Sequence, residues 1–171
     1  LSIYAQVDRV AGGLKFSSGV EFNTITTGNP AIMGSAYIGL MDKAHLVPSL
    51  SVFNVKKRKS PENEFRNFMF QADLDFQYGL IKEGDLKLVA FGGLNTTAIL
   101  SKYEMLVDVG QNFANDSGLK FGANIGACVE MYVDRYYDAF LSVKYIAGSW
   151  DQFVISIGVM YNIDGARGRG W

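Results

Sequence analysis

The 171-residue sequence holds one cysteine, one histidine and three prolines. A lone Cys128 closes no intramolecular disulfide, and with His45 as the single imidazole, Cys and His alone cannot assemble a zinc site. No metal or cofactor is implied. Basic and acidic residues nearly cancel, at 16 against 17, which removes the broad positive footprint that nucleic acid requires. A membrane-crossing helix needs about 20 successive apolar residues, and no run approaches that length. His45 lies beside a tight turn, with Asp42 near it in sequence but no serine placed as a nucleophile, so acyl-transfer chemistry lacks its parts. It is read as a solvated or structural turn residue, and the chain as not an enzyme.

Apolar residues are nonetheless plentiful, at 49 % against 19 % charged, so they must be dispersed, and their period is two. Phe153, Ile155, Ile157, Val159, Tyr161 and Ile163 share one strand face. Phe121, Ala123, Ile125, Ala127, Val129 and Met131 share another, as do Phe68, Phe70, Ala72, Leu74, Phe76 and Tyr78. Weaker alternation extends the series to eight predicted strands, at 13–23, 31–41, 45–55, 68–78, 85–95, 119–131, 137–146 and 153–163. Each is close to the roughly 9 to 11 residues that a tilted strand needs to cross a bilayer. Tight connections are expected at 42–44, 79–84 and 133–135. Longer polar ones are expected at 24–30, 56–67 and 96–118, and the last, at 147–151, is short. The domain reading is a lead-in at 1–12, a barrel at 13–163 and a tail at 164–171. Residues 1–6 match the end of a secretory signal as well as they match the start of a strand.

Alternation alone does not say which face is inside, because membrane barrels and soluble ligand-binding barrels exchange the two faces. On the polar face small residues recur, among them Ser17, Gly19, Ser35, Ser51, Gly122, Gly126, Ser156 and Gly158, which suits a crowded interior. Charges of both signs share that face: Lys15, Glu21, Asp73, Asp75, Lys87, Lys120, Glu130, Asp138 and Lys144. These nine are expected to form an ion-pair network across the lumen. A basic residue on the lipid side near the midplane costs about 2 to 4 kcal/mol, so the nearly uncharged face is the one for lipid. Aromatics such as Phe22, Phe68, Tyr78, Tyr137, Tyr145, Phe153 and Tyr161 gather near strand ends, where two interfacial belts belong.

The unit 31–54, with Asp42-Lys43 in its turn and Leu46-Val47-Pro48-Ser49-Leu50-Ser51 after it, the unit 121–145 and the closing strand 152–163 together resemble the small eight-stranded β-barrels of bacterial outer membranes. That resemblance implies an all-β, antiparallel, up-and-down transmembrane barrel in the bacterial outer membrane, monomeric, with outer-membrane lipid around it. Tyr161 or Trp171 resembles the terminal aromatic of an assembly signal. The role implied is structural or interactive, with an extracellular partner met through loops 56–67 and 96–118.

Other readings stay open. The soluble alternative is a lipocalin-like carrier whose cavity is lined by Phe70, Phe76, Ile125, Leu141 and Ile157, and a narrow pore is a further one. Asp73 and Asp75 share one strand face, a spacing that serves lumen ion pairing or a bound cation. The dense basic run Lys56-Lys57-Arg58-Lys59 suits either solvation or contact with lipid phosphates. The semi-apolar stretch from Ile99 to Val107 is expected to extend neighbouring strands beyond the membrane.

Overall fold

A strand that alternates apolar and polar residues has one face to hide from water, and eight such strands achieve this by closing on themselves. The computed structural model describes residues 15–23, 30–60, 63–105, 117–149 and 151–163, and of their side chains all but those of 23, 54–60, 63–67, 99–105 and 117. In chain order the strands are β1 (Lys15–Asn23), β2 (Ala31–Met41), β3 (Ala44–Ser60), β4 (Asn63–Glu83), β5 (Leu86–Met105), β6 (Ser117–Asp134), β7 (Tyr137–Gly148) and β8 (Gln152–Asn162). Every strand pairs antiparallel with its sequence neighbours, and β1 pairs with β8 to close the barrel. The predicted lead-in and tail, and residues 24–29, 61–62, 106–116 and 150 of the predicted links, lie outside the described residues.

The apolar face points outward. Ile32, Leu94 and Ile125 are 76 %, 68 % and 67 % exposed, whereas Glu21 and Asp73, on the opposite face, are 1 % and 5 % exposed. A lipocalin-like carrier would have these faces exchanged, so that reading is overturned. The 11 residues of β8, at about 3.3 Å each and tilted by about 40°, project onto roughly 28 Å, close to the apolar band of an outer-membrane barrel.

Strands β3 to β6 are much longer, and β4 alone has 21 residues. The polar segment 56–67, expected as a loop, is largely strand, with Arg58, Lys59 and Ser60 paired to Phe65, Glu64 and Asn63. Residues 96–105 likewise continue β5, in register with β4 as far as Met105 against Asn63. Hairpin pairing gives their backbone partners that an open loop would lack. The result is a wall of four strands that rises above one rim, while β7, β8, β1 and β2 stop short of it.

The other rim has two-residue turns at Asp42-Lys43, Gly84-Asp85 and Arg135-Tyr136. The second falls at the end of and past the expected 79–84, and the third begins two residues later than the expected 133–135 and ends one later. A β-bulge precedes each turn, between Gly39 and Met41, Gly79 and Ile81, and Tyr132 and Asp134. At the second bulge Leu80 and Ile81 both face outward, which breaks the alternation and imitates a turn, while Gly84 makes the real one at φ 58°. Each turn is also tied to the strand that follows its own hairpin: the carbonyls of Lys43, Asp85 and Tyr136 accept hydrogen bonds of 2.8 Å from the N–H groups of Gly79, Tyr132 and Asn162.

Closure depends on close backbone approach at one pair. Gly19 and Gly158 are register partners across the β1–β8 seam, and a Cβ on Gly158 would lie 2.2 Å from the Ser18 carbonyl oxygen and 2.7 Å from the Gly19 Cα. Gly158→Val is therefore expected to lose about 1–3 kcal/mol or more in urea unfolding from detergent micelles. Gly34→Ala, whose new methyl group would come no closer than 3.8 Å to its nearest neighbour, is the neutral control.

Candidate functional site

Inward parity along the strands brings the predicted charges into the lumen, where the register then selects their partners. Asp73 on β4 accepts hydrogen bonds from Asn95 Nδ2 on β5 at 2.5 Å, Asn124 Nδ2 on β6 at 2.9 Å, Lys144 Nζ on β7 at 2.5 Å and Gln71 Nε2 at 3.1 Å. Asn124 Nδ2 also donates to Asp75 at 2.9 Å, and Thr97 donates to Asn95 at 3.0 Å. Lys144 lies 3.6 Å from Glu21 Oε1 on β1, which accepts a further 3.0 Å bond from Ser156 on β8. One buried network thus joins six of the eight strands.

A second group sits at the short-turn mouth. Lys15 pairs with Asp138 at 3.7 Å, and Asn162 donates to the same carboxylate at 3.1 Å. Lys87 stands in register opposite Glu130. Lys120 lies towards the tall rim, lining a cavity of about 10 Å³ with Asn95, Thr97 and Gln152. His45, expected as a solvated or structural turn residue, lies just past the 42–43 turn as the second residue of β3. There it is half-buried opposite Gln77, within reach of the charges of Lys15 and Lys87.

The filling is not polar throughout, as the sequence reading expected. Met33, Tyr37, Val47, Val89, Phe91, Cys128, Phe140 and Met160 form a buried apolar cluster inside the barrel, and Ala31, Phe53 and Met69 form a smaller one. Serine and glycine leave a narrow lumen underfilled, and large apolar side chains from facing strands complete it. Between the larger cluster and the polar network lies a cavity of about 30 Å³, lined among others by Glu21, Asp75 and Lys144. Such a volume holds water-sized occupants. Among the described residues, no group of three or more His, Cys, Asp and Glu side chains is arranged to hold a metal ion.

The neutral donors Gln71, Asn95, Thr97, Asn124, Ser156 and Asn162 escape the sequence reading as site residues. Their parity places them inside, but only the register shows which carboxylate each one meets. Outside, aromatic rings mark both edges of the apolar band. Tyr161 stands 6.4 Å from Tyr136 and 5.4 Å from Tyr137 at the short-turn rim, where Arg135 also lies over the Tyr136 ring, and Tyr145 packs 5.2 Å from Phe153 at the opposite rim. The backbone of Lys56-Lys57-Arg58-Lys59 belongs to β3 in the tall wall, and the four side chains lie outside the described residues.

No protein-family model matches the chain, and no curated protein sequence matches it. Among solved structures, it is similar to the N-terminal β-barrel domain of OprF from Pseudomonas aeruginosa, at 18 % identity and TM-score 0.65 over 88 % of this chain and 97 % of that one. It is similar to Ail, the attachment invasion locus protein of Yersinia pestis, in complex with the heparin analogue sucrose octasulfate, at 10 % identity and TM-score 0.60 over 87 % and 95 %. A major outer membrane protein from Thermus thermophilus matches at 10 % identity and TM-score 0.57 over 88 % and 99 %. The shared feature is the fold: this chain is a closed, eight-stranded antiparallel barrel like those of these outer-membrane proteins.

Proposed function

We propose that this barrel resides in a bacterial outer membrane as a monomer and acts at the cell surface, as a structural or interacting element rather than as a catalyst or a solute channel. The observation that carries this reading is the combination of an apolar, aromatic-edged belt around a packed interior with a four-strand wall on one side. The belt fixes the molecule in lipid. The interior cavities lined by described residues, of about 10 and 30 Å³, are water-sized, whereas a useful pore would need a continuous passage. Among the described residues the wall projects beyond the other strands, and an extracellular partner would be met there, through 56–67 and 96–118.

The test begins with folding. Purified chain is expected to need detergent micelles, to give strand-type circular dichroism there and to shift its gel mobility on heating. A chain that folds and stays monomeric in plain buffer would sink the membrane reading. In planar bilayers the folded protein is expected to give no stepwise conductance, and regular steps would instead favour the narrow pore.

The basic run in the wall supports one finer assignment, contact with phosphate groups of outer-leaflet lipid. Reversing the four charges, Lys56→Glu, Lys57→Glu, Arg58→Glu and Lys59→Glu together, is expected to weaken binding to lipopolysaccharide-containing vesicles by about tenfold or more at low salt. Unchanged binding would remove the assignment and leave the barrel intact.

A further inference from the structure

The turn between β6 and β7 carries one charge of each sign, and the two do not pair with each other. Asp134 and Arg135 are adjacent in sequence and both exposed. The Arg135 guanidinium lies over the Tyr136 ring, 4.4 Å from its centroid, and donates through Nη2 to the Tyr136 hydroxyl. Asp134 Oδ1 accepts the backbone N–H of Arg135 at 2.6 Å. Among the described residues neither side chain takes part in an ion pair. The next carboxylate along the chain, Asp138, is buried and already paired with Lys15.

Beneath these charges the outer surface becomes aromatic and then aliphatic. Tyr137 and Tyr161 are register partners on the lipid face, 5.4 Å apart, and Tyr161 stacks 6.4 Å from Tyr136. Two residues deeper the outward row is Met131, Ala139 and Val159, so the small Ala139 leaves a shallow lane between two larger side chains. Charges at the tip, rings at the headgroup level and an apolar lane below repeat the order of groups in a phospholipid.

The two charges also select the headgroup. A guanidinium presents a planar fork that matches the oxygens of a phosphate diester. The neighbouring carboxylate, which only accepts, suits an amine that carries N–H donors. An anionic headgroup would gain Arg135 but meet the like charge of Asp134, and a quaternary amine has no N–H to donate to it.

We propose that the β6–β7 turn binds one zwitterionic ethanolamine phospholipid, with the phosphate diester on Arg135, the primary ammonium on Asp134 and an acyl chain in the lane over Ala139. The site rests on the placement of the apolar belt in lipid, and it adds a lipid-selective contact at the short-turn rim, away from the tall wall.

The test folds the protein in neutral detergent micelles doped with equal amounts of phosphatidylethanolamine, phosphatidylglycerol and phosphatidylcholine of identical acyl chains. Native mass spectrometry then identifies the lipid that stays on the barrel. Phosphatidylethanolamine is expected to be retained about fivefold over either of the others, and Arg135→Gln to lower its retention by about the same factor. Asp134→Asn is expected to remove the preference over phosphatidylcholine, because the two lipids share the phosphate and differ in N–H donors. Asp42→Asn, on another turn of the same rim, is expected to change neither. The heat-modifiable shift verifies that each variant is folded. Equal retention of the three lipids overturns the proposal, as does a preference for phosphatidylglycerol or an ethanolamine preference that survives both substitutions at the turn. A chain that needs micelles to fold but shows no lipid preference removes this site alone, whereas one that folds in plain buffer and keeps no lipid removes the membrane placement with it.

Discussion

Replacing Asp73 by alanine is expected to cost about 3–5 kcal/mol of folding stability, the range for breaking a buried ion pair by deleting one partner. Asp73 is the acceptor on which four donors converge, and its loss strands them together. Lys144, itself buried, would keep Glu21, at 3.6 Å, as its ion-pair partner among the described residues. Asn95 and Asn124 would lose their bonds to it of 2.5 and 2.9 Å. Asp73→Asn keeps the volume and part of the hydrogen bonding, so it should fall between the parent and the alanine variant. Joint replacement, Asp73→Leu with Lys144→Met, should recover much of the loss, because an apolar pair of similar volume often equals a buried ion pair. Urea titration in detergent, followed by the heat-modifiable band, measures all four proteins. A loss below about 1 kcal/mol for Asp73→Ala would show that the network does not hold the strands together.

Arginine at Ile157 should be nearly as damaging for the opposite reason. Ile157 sits at the middle of β8, faces outward, and stands in register between Val20 and Leu141. A basic residue at mid-depth on the lipid face costs about 2–4 kcal/mol, while one near the interface costs about 0–1 kcal/mol. Ile157→Arg and Phe153→Arg therefore form a pair on the same strand face, with only depth changed between them. The expected result in lipid vesicles is a difference of about 2 kcal/mol between the two variants. Equal penalties would mean that the outer surface meets no layered apolar medium.

Much of this architecture is legible in the sequence because a period of two is a local signal. The stretch from Phe153 to Ile163 displays its face without reference to any other strand, and the alternation of 31–41 delimits β2 to the residue. Where alternation fails locally, legibility fails with it. The bulge at Gly79–Ile81 sends two successive apolar side chains outward, which reads as a turn where the strand in fact continues. The polar composition of 56–67 disguises a hairpin, since a wall standing beyond the membrane has no apolar face to display. For the interior, parity is enough to assign the nine charges to one face. It does not assign Asn124 to Asp73, a contact across 51 residues of sequence that only the register between β4, β5 and β6 creates. Nor does residue type foretell an apolar cluster within a polar lumen, because Met33, Phe91, Phe140 and Met160 answer to the volume left by their small neighbours.

The β1–β8 seam also bears on how the chain reaches this state. Lys15 pairs with Asn162 and Asn23 with Val154, so the contacts that close the barrel join nearly opposite ends of the described sequence. Pairings of such separation are slow, because the entropy of closing so long a loop is lost before any contact compensates for it. Until that moment the hairpins form an open sheet with two raw edges, each a template for another chain. Unlike an open sheet, which gains stability strand by strand, this molecule loses its sticky intermediates only when the first strand finds the eighth. The time spent before that encounter is the period in which its assembly is most exposed to aggregation.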